Sequence, residues 1–355
     1  MDDKLLRYQP IRFKRYAPPE LIEAYAKAQH RNDMSVVTMD GIGRLLVDLY
    51  TKGLASTYPD GNAQNEDERA AINLTLHHVV AYGRFTTSGS NIFALQSELV
   101  EEFHHTDVSD LPVGLLKYPY ANFYLSFGVI PDFKIDAQKQ IDGAYIFSNN
   151  DEVLFVFTTR RLDSKYETND WILKPEYKWQ WTLKTGNPDA LIGQLVKEAE
   201  TERIDDHKRI TRHANQIFDL TSDPSITKFR QGREAFMEGQ EDLRPKILDA
   251  LNVAINAICF IGQYPEEIEA AYPDDTPPEL LQGLNAKSHS QRTRAKAALA
   301  TAGYTKIKFC GRKLQYAHRG FKTGRMMPTH WRRGHWRNQA YGAAFSLRKL
   351  LWIRQ

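Results

Sequence analysis

Cysteine is nearly missing from this 355-residue sequence: Cys259 and Cys310 are the only two, with no CxxC pair and no histidine-rich cluster beside them. That excludes a disulfide framework, disfavours a structural zinc site, and makes a reducing, cytoplasmic setting the expectation. Long apolar runs are also lacking. Residues 253–262 form the longest, which Asn256 interrupts and which is too short to span a bilayer. The N-terminus opens Met1-Asp2-Asp3-Lys4, without the apolar segment of a signal peptide, so no membrane partner is expected. Nucleotide and hydrolase signatures are absent as well. There is no GxxxxGK[ST] loop and no GxSxG elbow, and Gly41-Ile42-Gly43 lacks the third glycine of a dinucleotide site. No cofactor is implied.

The most informative absence is of one sign of charge. Residues 280–355 carry 17 of the 47 Lys and Arg and none of the 44 Asp and Glu; the tail is therefore +17 and residues 1–279 are −14, although the whole chain is only +3. An uncompensated cationic block repels itself unless it binds a polyanion or folds against an acidic body. Nucleic acid is the favoured partner, and a tail docked on the acidic body is the alternative.

Periodicity divides the chain into three parts. Residues 1–110 read as helical, with patterns over residues 20–30, from about residue 40 (Ile42, Leu45, Leu46 and Leu49 on one stripe), over 66–82 and near 92–104. Residues 111–279 form a body in which 120–127, 144–147, 153–158 and 171–183 alternate as an antiparallel meander. Helices follow over 188–217 and 243–261, the second with Leu248, Leu251, Ile255, Ile258 and Cys259 on a buried stripe. Cys259 on that stripe reads as a core thiol, not a nucleophile. Residues 264–278 read as a surface connection, and 280–355 as a small basic unit containing strands. The fold class is α+β.

Within the basic unit His-Trp-Arg occurs twice, in Thr329-His330-Trp331-Arg332-Arg333-Gly334-His335-Trp336-Arg337. A separation of five residues sends the two copies to opposite faces of a regular strand; a bulge at Arg333-Gly334 would return them to one face. Guanidinium forks pair with phosphate oxygens and indoles stack on unpaired bases, so RNA is the matching ligand. The candidate nucleic-acid-binding residues are Arg312, Lys313, Lys322, Arg325, His330, Trp331, Arg332, Arg333, His335, Trp336 and Arg337. Three further readings stay open. Trp331, Trp336 and Trp352 suit the core of a small β unit. His330 and His335 suit the general acid and base of a metal-independent endoribonuclease. A metal set of Cys310, His318, His330 and His335 lacks recognised ligand spacing. In the body, Tyr120, Phe123 and Tyr124 are candidates for contact with an extended peptide, or else alternating core.

The string 330–337, followed by the closing stretch Leu350-Leu351-Trp352-Ile353, resembles the C-terminal signature of the type V-A anti-CRISPR family that blocks production of a Cas12-type effector and has phage and plasmid relatives. A second stretch is similar: Asp110-Leu111-Pro112, Leu116 and Pro119-Tyr120, then Asp142-Gly143-Ala144-Tyr145. The resemblance implies a protein that recognises the effector polypeptide as it emerges on the ribosome and brings about loss of its mRNA. Two departures stand out: Ala121-Asn122 occupies the place of a family Trp-Cys, and family members are expected to continue past the position of Gln355. A plain nucleic-acid-binding accessory protein is the reading that needs no such target.

Overall fold

The computed structural model describes residues 7–16, 81–86, 89–128, 130, 133–135, 139–161, 180–218, 224–274, 276–302, 304–314 and 334–354. Among them, β1 (Ile92–Leu95), β3 (Asn122–Ser126), β4 (Lys139–Ser148), β5 (Glu152–Arg161), β6 (Gln180–Lys184), β7 (Ile268–Ala271) and β8 (Ile307–Cys310) build a sheet ordered β6-β5-β4-β3-β1-β8-β7. A second sheet, ordered β10-β9-β2, contains β2 (Thr106–Asp107), β9 (Gly334–Tyr341) and β10 (Leu347–Ile353). The helices are α1 (Gln9–Tyr16), α2 (Ser97–His104), α3 (Ile192–Phe218), α4 (Pro224–Gln263), α5 (Pro278–Gln282) and α6 (His289–Thr301), and residues 81–86 are also helical. The α+β class expected from the sequence is the one observed.

The expected meander is present over the described residues: β3, β4, β5 and β6 are joined antiparallel in sequence order, and residues 171–179 of its expected last strand lie outside them. Its central turn is set by Asn149, whose Oδ1 accepts the N–H groups of Asp151 and Glu152, both at 2.8 Å, an Asx turn that reverses the chain between β4 and β5. Three local expectations are corrected. Residues 92–95 are a strand, not the start of a helix: four consecutive apolar residues buried on both faces suit the middle of a sheet, where β1 lies parallel to β3 and to β8. The connection over 264–278 contains β7, an edge strand antiparallel to β8. The strand in the basic segment, β8, sits inside the large sheet between β1 and β7. The helical patterns over 20–30, from residue 40, and up to residue 80 lie outside the described residues.

Period-two alternation sorts β3 between two cores. Phe123 and Leu125 join Phe93, Ile146, Phe155 and Phe157 beneath α4, whereas Tyr124 joins Ile92, Tyr145, Phe309 and Leu299 beneath α1 and α6. Covering α4 is the predicted stripe, with Leu251, Ile255, Ile258 and Cys259 buried and Leu248 half-buried. Burial pushes the Cys259 thiol up to about 12, which keeps it protonated and inert. Residues Leu243–Gln263 are apolar and long enough to cross a membrane by length and composition, with mean hydropathy 1.3, but 67% of that window is buried against the sheet. Here they serve as core.

One polar chain crosses the second core. Tyr124 donates to Thr158 Oγ1 at 2.9 Å, Thr158 donates to Asp142 Oδ1 at 2.8 Å, and Arg12 Nη2 reaches Asp142 Oδ2 at 2.7 Å and the Thr159 carbonyl at 3.0 Å. Burial, reinforced by Asp142, pushes the Tyr124 hydroxyl well above its ordinary range, so it remains a donor. Gly143 makes the arrangement possible, because a Cβ there would fall 2.2 Å from the Tyr124 hydroxyl. Arg12→Ala should strand the Asp142 carboxylate and lower stability by about 3–5 kcal/mol. Asp142→Asn combined with Arg12→Met should cost less than Arg12→Ala alone, checked from urea unfolding midpoints; equal or greater loss in the double variant would deny the pairing.

Candidate nucleic-acid interface

The second sheet presents two unlike faces. Antiparallel register places Trp336 opposite Trp352 and Asn338 opposite Leu350 on one face; His335 faces Ile353, Arg337 faces Leu351, Gln339 faces Lys349 and Tyr341 faces Leu347 on the other. On the inner face Trp336 is buried and stacks on Trp352 with ring centroids 6.0 Å apart and planes at 22°. Trp352 also packs on Phe103 at 5.0 Å and edge-on to Phe260 at 6.1 Å. Each indole N–H has a partner, as a buried indole requires: Trp336 Nε1 donates to Asn256 Oδ1 at 2.6 Å and Trp352 Nε1 to Thr106 Oγ1 at 3.3 Å.

Asn256 carries this docking. It is fully buried on α4, and its Nδ2 donates to the carbonyls of Phe103 at 3.2 Å, Thr106 at 3.0 Å and Asn252 at 3.0 Å. The end of α2, the start of β2 and Trp336 of β9 thus converge on Asn256, and Asn252 Nδ2 donates to the same Phe103 and Thr106 carbonyls, both at 3.0 Å. Gly334 brings β9 close enough: a Cβ there would lie 2.5 Å from Thr106 Oγ1. Arg354 closes the contact through a bidentate pair with Glu102.

The outer face is solvent-exposed and mixes cations with apolar groups. His335, Arg337, Tyr341, Leu347, Lys349 and Ile353 are exposed, and Gln339 and Leu351 half-buried. Of the five exposed large hydrophobic residues among the described ones, three stand here: Tyr341 at 46%, Leu347 at 51% and Ile353 at 38%. Such clustering marks an interaction surface, not scatter. Asp107, paired with His335 across β2, is the acid of this face. Neither Arg337 nor Lys349 has an acidic partner among the described residues.

The expected site is thus divided. His335 and Arg337 are exposed together, but Trp336 cannot also be on their face, because neighbours on a strand alternate; its ring supports the core and is not a platform for a base. Arg312 lies over the Phe309 ring at 3.3 Å and pairs with Asp274 at 2.9 Å, while Lys313 donates to the Glu266 carbonyl at 2.7 Å; both are engaged with the acidic body. Lys322, Arg325, His330, Trp331, Arg332 and Arg333 fall outside the described residues, as does His318 of the metal set. Cys310 of that set is buried and its thiol pushed up by burial.

In the body, Phe123 and Tyr124 are fully buried and β3 is an interior strand, so neither offers an edge or a surface to a peptide. Tyr120 remains exposed, with the Lys308 ammonium 4.9 Å from its ring centre. Tyr341, Leu347 and Lys349 were missed from sequence. The alternation of β9 and β10 was the signal that could have found them.

Comparison with known proteins follows the same segment. The model of the AcrVA2-like proteins, the anti-CRISPR type V subtype A2 family, matches residues 93–355, from β1 through both sheets. The chain belongs to the AcrVA2-like family. A structure described as "Crystal structure of AcrVA2" is similar over 100% of this chain and 98% of that chain, with 15% identity and a TM-score of 0.39. No curated protein matches. Membership in the AcrVA2-like family assigns an anti-CRISPR, anti-defence role and implies contact with CRISPR effector machinery.

In this AcrVA2-like chain Asn256→Ala should leave the buried Trp336 N–H without its partner, while the Phe103 and Thr106 carbonyls keep Asn252 Nδ2 as a donor, each at 3.0 Å, and should cost about 2–4 kcal/mol from the lost hydrogen bonds and a small cavity. Trp336→Phe should cost less, and the two changes together less than their sum, because they share a bond. Chemical unfolding followed by tryptophan fluorescence checks both. Strict additivity would remove Asn256 as the docking point.

Proposed function

We propose that the protein suppresses production of a type V CRISPR effector by holding RNA on the outer face of the β2-β9-β10 sheet. The observation that carries this reading is that exposed face. Arg337 and Lys349 are exposed cations, His335 is a third polar group, and Tyr341 is an exposed ring beside them. Single-stranded RNA has the matching chemistry, phosphates for the cations and unpaired bases for the ring. The acid-free segment of residues 280–355 supports it, as does membership in an anti-CRISPR family. The RNA in this reading is the effector's mRNA, met in the cytoplasm as the effector polypeptide emerges from the ribosome. The body contacts that polypeptide, and Tyr120 is its exposed aromatic.

The test is binding of a fluorescent single-stranded RNA as a function of salt. Each phosphate contact contributes about 0.7 to the slope of log affinity against log salt, so Arg337→Ala with Lys349→Ala should flatten it by about 1.4. Tyr341→Ala should weaken binding by about 1–3 kcal/mol with the slope unchanged, the mark of a stacking contact. His335→Gln should retain most of the affinity, and the RNA should stay intact. Affinity indifferent to salt would sink the proposal. Metal-free cleavage of RNA but not of its 2′-deoxy counterpart, abolished by His335→Gln or His330→Gln, would replace binding by an endoribonuclease reading.

A further inference from the structure

α6 touches the rest of the molecule through a narrow stripe. Leu299 is buried and Arg292 and Ala295 are half-buried, all three on one side of the helix, and every other residue of α6 is exposed. Alanines at 295, 297, 298 and 300 keep it helical with little burial, since alanine has the highest helix propensity. Arg292 is engaged: its Nη1 donates to the carbonyls of Ala286 and Lys287, both at 2.9 Å. Lys287, Arg294 and Lys296 are exposed and have no acidic partner among the described residues, and Glu279 of the neighbouring α5 pairs with none of them. α6 has no acid of its own, so no i,i+4 ion pair supports it, and Arg292 and Lys296 at that spacing repel. An open cationic helix without internal pairs matches a polyanion.

Geometry selects which polyanion. At about 3.6 residues per turn, Arg294 and Lys296 stand about 160° apart around the axis, with Thr293 and Ala297 between them on the outward side. His289 falls on the Lys296 flank. Cations on both flanks of a rod suit two phosphate backbones, one to each side, whereas a single strand would follow one flank. The helix has no aromatic ring, so it offers nothing on which an unpaired base could stack. Thr293 and Ala297 are short, which lets the helix approach a shallow surface closely. The minor groove of A-form RNA is wide and shallow, displays 2′-hydroxyls, and is bordered by the phosphates of both strands. We infer that α6 binds double-stranded RNA by lying in its minor groove, with Arg294 and Lys296 reaching the phosphates of opposite strands. The site goes beyond the single-stranded RNA reading and is remote from it. Leu299 seats α6 on the core shared with α1, whereas Trp336 and Leu350 seat the β2-β9-β10 sheet on the core beneath α4, across the large sheet.

The probe is a fluorescently labelled RNA duplex of about 20 base pairs, enough for the 16 or so that a double-strand-binding module spans. It is added to the full chain, beside oligouridylate as the single-stranded control. Arg294→Gln with Lys296→Gln keeps helix propensity and touches no buried group. It should lower duplex affinity about tenfold and flatten the slope of log affinity against log salt by about 1.8, from roughly 0.9 for each phosphate contact on a duplex. Ala297→Glu, which sets a carboxylate between the two flanks, should lower duplex affinity at least as much. Neither variant should change oligouridylate binding. If Ala297→Glu fails to fold, judged by circular dichroism and tryptophan fluorescence, the double glutamine variant decides alone.

No duplex binding at micromolar concentration overturns the inference. So does duplex binding that the double glutamine variant leaves unchanged. An equal loss of oligouridylate affinity in that variant would assign α6 to single strands, and equal affinity for a B-form DNA duplex of the same sequence would remove the groove fit; either result also overturns it. Equal competition by polyglutamate of matched charge would mark an unspecific cationic patch, with the same consequence. Arg337→Ala with Lys349→Ala, measured in parallel, should weaken oligouridylate binding and spare the duplex, which keeps failure here distinct from failure of the single-stranded reading.

Discussion

The placement of the basic sheet depends on the buried Asn256 carboxamide, which joins Trp336 to the α2–β2 carbonyls that Asn252 also binds. Asn256 lies in the middle of an otherwise apolar stripe on α4, where an unpaired amide would cost more than its bonds return. It is satisfied on both sides: its nitrogen donates to the carbonyls where α2 passes into β2, and its oxygen accepts from Trp336. Removing Trp336 or Asn256 leaves the other with an unmet buried polar group. A small sheet with an apolar inner face could slide on a helix; this one has a fixed register.

That register turns a local rule into a functional division. Along β9, neighbouring residues point to opposite faces, so the second His-Trp-Arg unit sends its indole inward and its imidazole and guanidinium outward. The tryptophan anchors the strand, and the cation next to it is held exposed by that anchor. The same alternation in β10 buries Leu350 while presenting Lys349 and Leu351 to the outer face. A surface of basic, aromatic and aliphatic groups is thereby carried on regular, well-supported backbone, which keeps its side chains in defined positions.

The charge imbalance has two structural outcomes. Part of it is neutralised within the molecule, where Arg312 meets Asp274 and Arg354 meets Glu102. Among the described residues, Arg337 on β9 and Lys349 on β10 have no acidic partner, and Asp107 lies beside His335 on β2. Docking on the acidic body, one of the two alternatives raised by the +17 segment, is thus seen for Arg312 and Arg354. In the large sheet, a contrasting pair is buried completely: Arg12 and Asp142 join α1 to β4 in a setting where neither could stand alone.

Composition and pattern by themselves determined the α+β class, the meander, the α4 stripe and the acid-free C-terminal segment, because each depends on periodicity or on counts within a short stretch. The resemblance carried by residues 330–337 and 350–353 also pointed to the family to which the chain belongs. What the sequence could not decide is pairing between distant segments. Residues 92–95 look like the first turn of the helix that follows, and only their neighbours β3 and β8, the latter more than two hundred residues away, make them a strand. Phe123 and Tyr124 suited either a surface or a core until β1 and β4 enclosed them on both sides. Tyr341, Leu347 and Lys349 come onto one face only through cross-strand register. The division of Trp336 from His335 and Arg337 followed from tertiary structure too, since alternation sets opposite faces but only the docking on Asn256 decides which face is buried.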